Sequence, residues 1–553
     1  MFRKIVLLAM CLLACASLAR AEMLTALEIS TQACPEKVAA SASGTEWTLY
    51  IPGTWDLSAV EVQFSGAEVL QAGEISLRSG QTTDLSALAG QTVDLLADGS
   101  RKGTLTVLQG SVLPVVYLQA EEDELAKARK DKEYRVADAS VTYVEADGTM
   151  TCQGAAELKC RGNSTFSHPK KPYQFKLGEK ADLSGMGPHK TWILLANYLD
   201  LSLIRNQLML DLGVHLGVPF AVECRQVDVY INGAYEGLYL LTEKVQLGKE
   251  RVNITDLEKA TEAANDQPLD SYPRRKVESR MFPLMKYFDI PNDPEDITGG
   301  YLMEIEKAHR LRNYESNGFY NKLGISVVVK DPEYCSKAQM EYISALFNDF
   351  HQALYAKDGF SPETGRYYAD FIDRDSFTVK YLMEEFCKNY DAVASSQFLY
   401  KDSDAVDGRI FFGPVWDYDL SMGNIRINGF NTGSQPEKEY LTTVQLNNSL
   451  YWLLHQHEDF MDGVRSRYRA DLAPAVRILL GREEPVPGSP LRALESYAEQ
   501  IDLSARMNSR RWPEKSIKGY YTASGTTHQA SVEYLIDFIT RRFAFMEEMW
   551  GGE

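Results

Sequence analysis

A chain of 553 residues is too long for one hydrophobic core, so the sequence predicts two or three domains. Hydrophobic residues make up 44%, aromatic residues 11% and charged residues 24% of the chain, which excludes a disordered protein. The formal net charge of −19 repels nucleic-acid phosphates, so we expect no nucleic-acid partner.

Residues 1–21 have the pattern of a secretory signal peptide. Arg3 and Lys4 give a basic start, and the apolar run that follows is too short to span a membrane. A small-x-small pattern then predicts cleavage after Ala21, while lipid attachment at Cys15 is the alternative. We therefore expect a secreted or cell-surface bacterial protein. No later stretch has the roughly 18 uninterrupted apolar residues of a transmembrane span.

Residues 22–110 have the short alternating segments of a small all-β domain. Trp47–Pro52 and Val60–Phe64 alternate apolar and polar residues, and Val93–Leu96 and Gly103–Val107 add further short strands. Turns rich in Gly, Ser and Asp separate them. This spacing predicts an Ig-like β-sandwich. The segment carries no motif for chemistry, which favours a spacer or attachment module.

Residues 113–550 are predicted to form the main domain, of the α+β class. Its first part, about 113–246, is rich in strand patterns, and Asp200–Leu212 has the apolar spacing of a helix between two strand groups. Residues 250–298 are polar and predict an irregular connection. A mainly helical part follows, about 299–550. A β-rich part followed by a helical part is compatible with a two-lobed enzyme.

The cysteines that remain after the predicted cleavage are scattered. They show no Cys-x-x-Cys spacing, so a zinc ribbon or a thioredoxin-like site is not expected. Export permits disulfides, and Cys152 and Cys160 are close enough in sequence to be candidates for a pair. Free thiols in the core are the alternative.

A turn rich in Gly, Asn, Ser and Thr is the first segment suited to chemistry. Arg161–Thr165 offers backbone N–H groups and hydroxyls to phosphate oxygens. Lys176 lies on the strand after this turn and could neutralise a phosphate. A surface hairpin with solvated lysines is the alternative. In a second segment, Asp200 or Ser202 is placed to cap the start of the predicted helix.

Two acidic segments complete the candidate chemistry. Asp391 follows a predicted helix, where a carboxylate can accept a proton from a hydroxyl nucleophile or can simply end the helix. Asp417 and Asp419 are bracketed by Trp, Tyr and Leu, and carboxylates in apolar surroundings need a cation or donors. Mg²⁺ prefers a few carboxylates together with phosphate oxygens. A hairpin predicted between the two segments can bring the acids to one site.

Six segments in order resemble the CotH (spore coat protein H) kinase family. They are RGNST with KKPYQFKL, LLANYLDLSLIRN, VYINGAYEGLYLLTEKV, GGYLMEIEK, FCKNYDAVASSQFLYKD and GPVWDYDLSMGN, across residues 113–470. The predicted N-terminal β-domain lies outside the resemblance. The resemblance implies a divergent, two-lobed protein-kinase-like fold. It also implies transfer of the ATP γ-phosphoryl group to Ser or Thr hydroxyls of a protein substrate, such as a spore coat protein.

The resemblance also implies roles for the acidic residues. Asp391 would be the catalytic acid that orients the substrate hydroxyl. Asp417 would bind the metal, with Asp419 as a second contributor. These roles suit phosphoryl transfer, which needs positioning and charge neutralisation more than covalent chemistry. The implied cofactors are ATP and Mg²⁺, with Mn²⁺ as a substitute for Mg²⁺.

On the nucleotide side, the resemblance implies that Lys176 contacts phosphate and that Arg161 also contacts the nucleotide. Glu243 is a weaker candidate for the nucleotide site. Ser396 is a departure, because many relatives carry Asn at this spacing from the catalytic acid. That Asn holds a second metal ion in kinases, and a serine hydroxyl is a weaker ligand. Ser396 therefore puts the second ion and the rate in question.

Two other functions remain as alternatives. The first is a non-catalytic surface or coat protein that uses a kinase-like scaffold, which export favours because extracellular ATP is scarce. Mg-dependent nucleotide binding discriminates between the two. The second alternative is a hydrolase that uses Asp417 and Asp419. Acids two apart on a strand point to the same face, which suits a metal better than the facing carboxylates of a glycosidase.

Overall fold

The computed structural model describes residues 24–278, 284–321, 323–392, 395–425, 433–443, 449–513 and 526–552. The predicted signal peptide, its cleavage site and Cys15 lie outside the described residues. Within the described ranges, no helix combines the length and apolar character that crossing a membrane requires.

The first described part of the chain forms two β-sheets over one hydrophobic core. One sheet has four strands in the order β2-β1-β5-β8, and the other has six in the order β3-β4-β10-β9-β6-β7. The strands are β1 Ala26–Thr31, β2 Cys34–Ala39, β3 Ser41–Ser43, β4 Glu46–Ile51, β5 Val60–Ser65, β6 Leu70–Ala72, β7 Ile75–Leu77, β8 Gln81–Thr83, β9 Thr92–Ala97 and β10 Ser100–Gln109. Val60, Val62 and Phe64 alternate inward along β5, as their spacing predicts.

The next seven strands close into a barrel in the order β11-β12-β13-β14-β15-β17-β16. They are β11 Val115–Gln119, β12 Val136–Val144, β13 Met150–Cys160, β14 Tyr173–Ala181, β15 His189–Leu195, β16 Cys224–Ile231 and β17 Ala234–Glu243. The parallel pairing of β11 with β16 closes the ring. Along β14, Tyr173, Phe175 and Leu177 fill the interior, while Gln174 and Lys176 face outward.

The two-sheet part packs directly on the barrel. Tyr50 of β4 stacks on Tyr235 of β17 at 5.0 Å between ring centroids, and the Tyr230 hydroxyl donates to the Tyr50 carbonyl at 3.1 Å. The Glu36 carboxylate accepts hydrogen bonds from Gln119 and Thr142 of the barrel strands, at 2.8 and 2.6 Å. One buried cluster therefore runs through both parts.

Two helices accompany the barrel, α1 Glu122–Ala128 and α2 Arg205–His215. The predicted start of α2 at Asp200 is wrong by five residues. The Asp200 carboxylate accepts the Arg205 backbone N–H at 3.0 Å, so Asp200 lies before the helix and satisfies its first N–H. The Ser202 hydroxyl instead donates to Asp200, at 2.6 Å.

Of the two alternatives left open for Cys152 and Cys160, the structure excludes the disulfide and shows free thiols. Both residues lie on β13, near its two ends. At about 3.3 Å per residue, an extended strand holds their Cα atoms about 26 Å apart. A disulfide needs about 4.4–6.8 Å between Cα atoms. Every cysteine of the described residues is a free thiol.

The C-terminal half joins a seven-stranded sheet, of order β18-β19-β21-β22-β20-β23-β24, to most of the helices. The strands are β18 Arg274–Val277, β19 Leu284–Phe288, β20 Tyr301–Ile305, β21 Gly318–Tyr320, β22 Ser326–Asp331, β23 Gln397–Lys401 and β24 Ile410–Phe412. The helices are α3 Leu257–Ala263, α4 Ala308–Asn313, α5 Lys337–Tyr355, α6 Arg374–Cys387, α7 Leu450–His455, α8 Glu458–Arg467, α9 Ala473–Leu479, α10 Leu494–Arg511 and α11 His528–Trp550. The α+β class is confirmed, and the Ig-like topology and the two-lobed kinase-like arrangement stay predictions.

Residues 250–298 are not the irregular connection that their composition predicts. They contain α3, and β18 and β19 add an edge to the large sheet. The four residues of β18 are all exposed, so the strand lacks the alternating apolar pattern that would reveal it. Backbone pairing with β19 forms this strand in place of side-chain burial.

Candidate functional site

The end of helix α6 places the first acidic segment. Lys388 has a left-handed backbone, with φ of +53°, and this conformation ends the helix. Its backbone N–H donates to the Glu384 carbonyl. Its ammonium turns inward and donates to the carbonyls of Gln435 and Lys438, at 2.6 and 2.8 Å. The chain is thereby fixed in a turn just before Asp391.

The second acidic segment lies against this turn. Strands β23 and β24 pair antiparallel, so the predicted hairpin between the acids is confirmed. Beyond it, the Tyr390 N–H donates to the Leu420 carbonyl at 3.2 Å, and the Met422 N–H donates to the Cys387 carbonyl at 2.6 Å. Backbone hydrogen bonds therefore hold the two segments side by side.

The Asn389 side chain ties the two acids to each other. Its amide oxygen accepts the Asp391 backbone N–H at 3.2 Å, and its NH₂ group donates to the Asp417 carbonyl, also at 3.2 Å. The Asn389 carbonyl accepts from the Tyr440 hydroxyl at 2.8 Å. Asn389 is fully buried, so these bonds are sheltered from water. The Asn389 amide therefore adds a direct link between Asp391 and Asp417 to the backbone hydrogen bonds that hold their segments together.

Asp417 and Asp419 share a mostly buried environment that disfavours their charged forms. The Ser396 hydroxyl donates to Asp417 Oδ2 at 3.1 Å. Burial raises the pKa of Asp417 to about 6, and the nearby charge of Asp391 adds to the shift. Burial also raises the pKa of Asp419 well above its ordinary value, with the charges of Asp417 and Asp391 as the next causes. The charges of Arg161 and Lys307 oppose the shift at Asp417 without cancelling it, and acids in such surroundings favour a further cation among them.

Asp417 and Ser396 both have a strained backbone. Their φ angles are +69° and +55°, in the left-handed region that residues other than glycine rarely adopt. Such conformations cost about 1–3 kcal/mol each and concentrate at functional sites. In this site they direct the Ser396 hydroxyl and the Asp417 carboxylate toward each other.

Arg161 of the RGNST turn reaches the same site from the barrel. Its guanidinium lies over the Trp416 ring, 5.4 Å from the ring centroid. Trp416 is the residue just before Asp417 in the chain. Burial lowers the pKa of Arg161, and the charges of Asp417 and Glu304 oppose that shift. The turn that offers phosphate-binding groups is thus next to the acids.

Among the described residues, no three His, Cys, Asp or Glu side chains come together in an arrangement that could hold a metal ion. Mg²⁺ does not require such a cage, since it binds through one or two carboxylates, water and substrate phosphates. Asp417 and Asp419, with the Ser396 hydroxyl beside Asp417, are the residues that fit this kind of site.

The LDLSLIRN segment supports the second acidic segment from behind. Arg205 forms a fully buried ion pair with Asp200 at 2.5 Å, and its Nε donates to the Ser421 carbonyl at 3.1 Å. The Asn206 side-chain oxygen accepts the Tyr418 backbone N–H at 2.7 Å. The segment therefore fixes the backbone on both sides of Asp419.

We expect Arg205→Met to destabilise the fold by about 3–5 kcal/mol, because the substitution leaves the Asp200 carboxylate buried without its cation. Urea unfolding measures the change. Arg506→Met is the matched control, since Arg506 pairs with Asp502 at 2.7 Å on the surface, where the two side chains are 69% and 46% exposed. It should cost less than about 1 kcal/mol. Equal losses for the two variants would contradict this role of Arg205.

A protein-family model described as CotH kinase protein matches residues 158–546. The chain belongs to the CotH kinase family. The predicted resemblance is confirmed, although the match begins in β13 and continues into α11, beyond the range of the motifs. No curated protein matches the chain.

Lys307 is a residue of the candidate site that the sequence did not reveal. Its ammonium pairs with Asp391 Oδ1 at 3.1 Å and lies 5.8 Å from the centroid of the Tyr390 ring. Burial opposes its charge, but the Asp391 carboxylate outweighs burial and raises the pKa of Lys307. The motif GGYLMEIEK contains this lysine, yet nothing in the spacing shows which acid it meets.

Lys176 and Glu243 stand apart from the acids of the CotH site. Lys176 is exposed on the outer face of the barrel, and Glu243 pairs with Arg251 at 2.5 Å. Glu243 also accepts the Glu223 backbone N–H at 2.9 Å, and burial raises its pKa to about 7. Within the described residues, no hydrogen bond or ion pair joins either side chain to the acidic segments. The remaining sequence candidates, by contrast, are brought together.

Proposed function

We propose that this CotH-family protein is a Mg-dependent protein kinase that transfers the γ-phosphoryl group of ATP to Ser or Thr hydroxyls of a protein. One observation carries the proposal. The buried Asn389 amide links Asp391 to Asp417, and Ser396, Asp419 and the barrel cation Arg161 lie beside them. Phosphoryl transfer needs such an acid for the acceptor hydroxyl next to a metal-binding acid.

The chain's own residues supply the steps that the reaction asks of a protein. Asp391 orients the acceptor hydroxyl and takes its proton as the new O–P bond forms and the bond to the leaving phosphate breaks. Lys307, 3.1 Å from Asp391, holds this carboxylate in place. Asp417 and Asp419 would hold the metal, which would neutralise phosphate oxygens. Arg161 adds a positive charge from the barrel side.

We also propose a two-lobed arrangement in which the barrel supplies the nucleotide side and the C-terminal half supplies the acids. The contact of Arg161 with Trp416, at 5.4 Å, supports it because this contact crosses from one part to the other. Mg-dependent protection of both parts in hydrogen exchange is the expected sign of a shared nucleotide site.

The proposal is tested by incubating the purified chain with γ-labelled ATP, Mg²⁺ and a serine-rich protein acceptor. Label should enter the acceptor on Ser or Thr, and EDTA should stop the transfer. Mn²⁺ is expected to replace Mg²⁺ at least in part. If the chain binds no nucleotide in the presence of either metal, the non-catalytic scaffold is the function that remains.

Export and the protein partner belong to the same proposal. Secretion with cleavage after Ala21 is supported by three features of the first residues. They are a basic start, a short apolar run and a small-x-small pattern that ends at Ala21. A secreted kinase has coat or cell-surface proteins within reach as substrates. Edman sequencing of the protein recovered from the medium should begin at Glu22, whereas a lipid-modified Cys15 would establish the lipoprotein alternative.

The Ser396→Asn variant is expected to lower the Mg²⁺ concentration needed for half-maximal transfer by about 3- to 10-fold. Asn tolerates the left-handed backbone that Ser396 adopts, with φ of +55°, better than Ser does. Its amide oxygen is also a better metal ligand than a hydroxyl. The measurement is initial rate against Mg²⁺ concentration. Ser76→Asn, on the exposed surface of β7, is the control. An unchanged or raised requirement in Ser396→Asn would contradict a metal role at this position.

A further inference from the structure

The outer face of the barrel carries cations close to the acidic site. Lys159 lies on β13 between Leu158 and Cys160, which both point into the barrel core. Because side chains alternate along a strand, Lys159 faces outward, and Arg161 continues the same face. Lys244 follows the last residue of β17 and continues the outward face of that strand.

The strand register brings these cations together. Lys159 is opposite Gln174, Gln174 is opposite Ile193, and Ile193 is opposite Thr242, across four neighbouring strands. Lys244 is two residues beyond Thr242. A lysine side chain reaches about 6 Å from its Cα atom, so cations on the two outer strands can converge over the two middle strands.

Among the described residues, none of the three cations forms a close ion pair with a carboxylate, although the charges of Asp417 and Glu304 act on Arg161 from a longer distance. In the part of the chain that the structure describes, no side-chain hydrogen bond or ion pair is made by Lys159, Arg161 or Lys244. Lys330 nearby differs, because it pairs with Glu304 at 3.4 Å and with a second carboxylate at 3.6 Å.

This arrangement destabilises the charged form of Lys244. Its ammonium is half-buried, and burial lowers the pKa of Lys244 to about 8, with repulsion from Arg161 and Lys159 as the next causes. Burial also lowers the pKa of Lys159. A folded protein that holds partly desolvated like charges together gains free energy when an anion binds among them.

We infer that Lys159, Arg161 and Lys244 form one binding site for a polyphosphate chain, with Lys244 as its strongest contributor. Arg161, stacked on Trp416, places the site next to Asp417. The inference rests on the proposed function for the identity of the natural ligand, the triphosphate of a nucleotide. The affinity for polyphosphate itself depends only on these side chains.

This site differs from the one that the family resemblance implies, in which Lys176 contacts phosphate. Lys176 shares the outer face and lies opposite Thr191 in the register. It is exposed, however, and solvent screens an exposed charge so that its attraction for an anion is weak. Lys244 lies where less water competes for the phosphate oxygens.

Calorimetric titration of the full chain with inorganic tripolyphosphate, without metal or protein acceptor, tests the inference. Lys244→Met should weaken binding by about tenfold to hundredfold, as expected when a charge-assisted hydrogen bond is lost. Lys159→Met should weaken it by about threefold or more. Lys249→Met is the matched control, because that lysine is five residues away and 87% exposed. It should change binding by less than about twofold.

Three outcomes would overturn the inference. They are no binding of tripolyphosphate to the wild-type chain, equal losses in Lys244→Met and Lys249→Met, and a larger loss in Lys176→Met than in Lys244→Met. Thermal unfolding of each variant serves as the control for folding. A midpoint temperature equal to that of the wild-type chain shows that the fold is intact. Tripolyphosphate binding that depends on Lys244 in a chain that transfers no phosphate would support the inference while contradicting the proposed kinase activity.

Discussion

Asp417→Asn is expected to remove Mg-dependent nucleotide binding and to lower phosphoryl transfer by about 10³-fold or more. The charge of Asp417 is only partly compensated, since the nearby charge of Asp391 opposes it and its carboxylate accepts one side-chain hydrogen bond, from Ser396 at 3.1 Å. An amide of the same shape keeps the packing but loses the charge that a divalent ion requires. Calorimetric titration with Mg-ATP and the initial transfer rate measure the two losses.

The same substitution should make the ligand-free protein more stable, by about 1–3 kcal/mol, because it removes a buried like charge. Opposite effects on stability and activity separate loss of a ligand from loss of the fold. Asp138→Asn, at an exposed position of β12, is the control and should leave binding, rate and stability unchanged. Unaltered Mg-ATP affinity in Asp417→Asn would remove this residue from the metal site.

Asp391→Asn is expected to lower the transfer rate by about 10²- to 10⁴-fold while Mg-ATP affinity changes by less than about threefold. General-base catalysis typically contributes a factor of this size. Asp391 contacts Lys307, whereas the acids proposed to bind the metal, Asp417 and Asp419, lie on the neighbouring segment. A selective loss in kcat therefore distinguishes the hydroxyl-orienting acid from the metal-binding acid.

Lys307→Met gives the companion measurement for Asp391. Without the ammonium at 3.1 Å, the carboxylate is less well positioned, and we expect kcat to fall less than in Asp391→Asn. Equal labelling of the acceptor by the wild-type chain and by Asp391→Asn would exclude Asp391 as the catalytic acid.

Much of the site was predictable because its residues lie in short, ordered motifs. The turn at Asp391 and the carboxylates at Asp417 and Asp419 are local features, and the hairpin between them has a clear strand signal. Arg161 was predictable for the same reason. The family match over residues 158–546 spans all of these motifs.

The remaining features depend on tertiary contacts that no local pattern reveals. The barrel closes through a parallel pairing of β11 with β16, which are far apart in sequence. Lys307 meets Asp391 only because β20 pairs with β23. The start of α2 was misplaced because Asp200 binds Arg205 in place of beginning the helix. Sequence spacing also left open a disulfide between Cys152 and Cys160. The two residues lie near opposite ends of β13, and this strand geometry excludes the bond.

The most direct test is a structure of the full chain with Mg²⁺ and a non-hydrolysable ATP analogue. We predict a metal ion about 2.0–2.1 Å from an Asp417 carboxylate oxygen, with phosphate oxygens completing its coordination. The terminal phosphate should lie between that ion and Asp391, and the other phosphates should face Arg161 and Lys244. A nucleotide bound elsewhere, or a metal ion coordinated away from Asp417, would contradict the proposed kinase site.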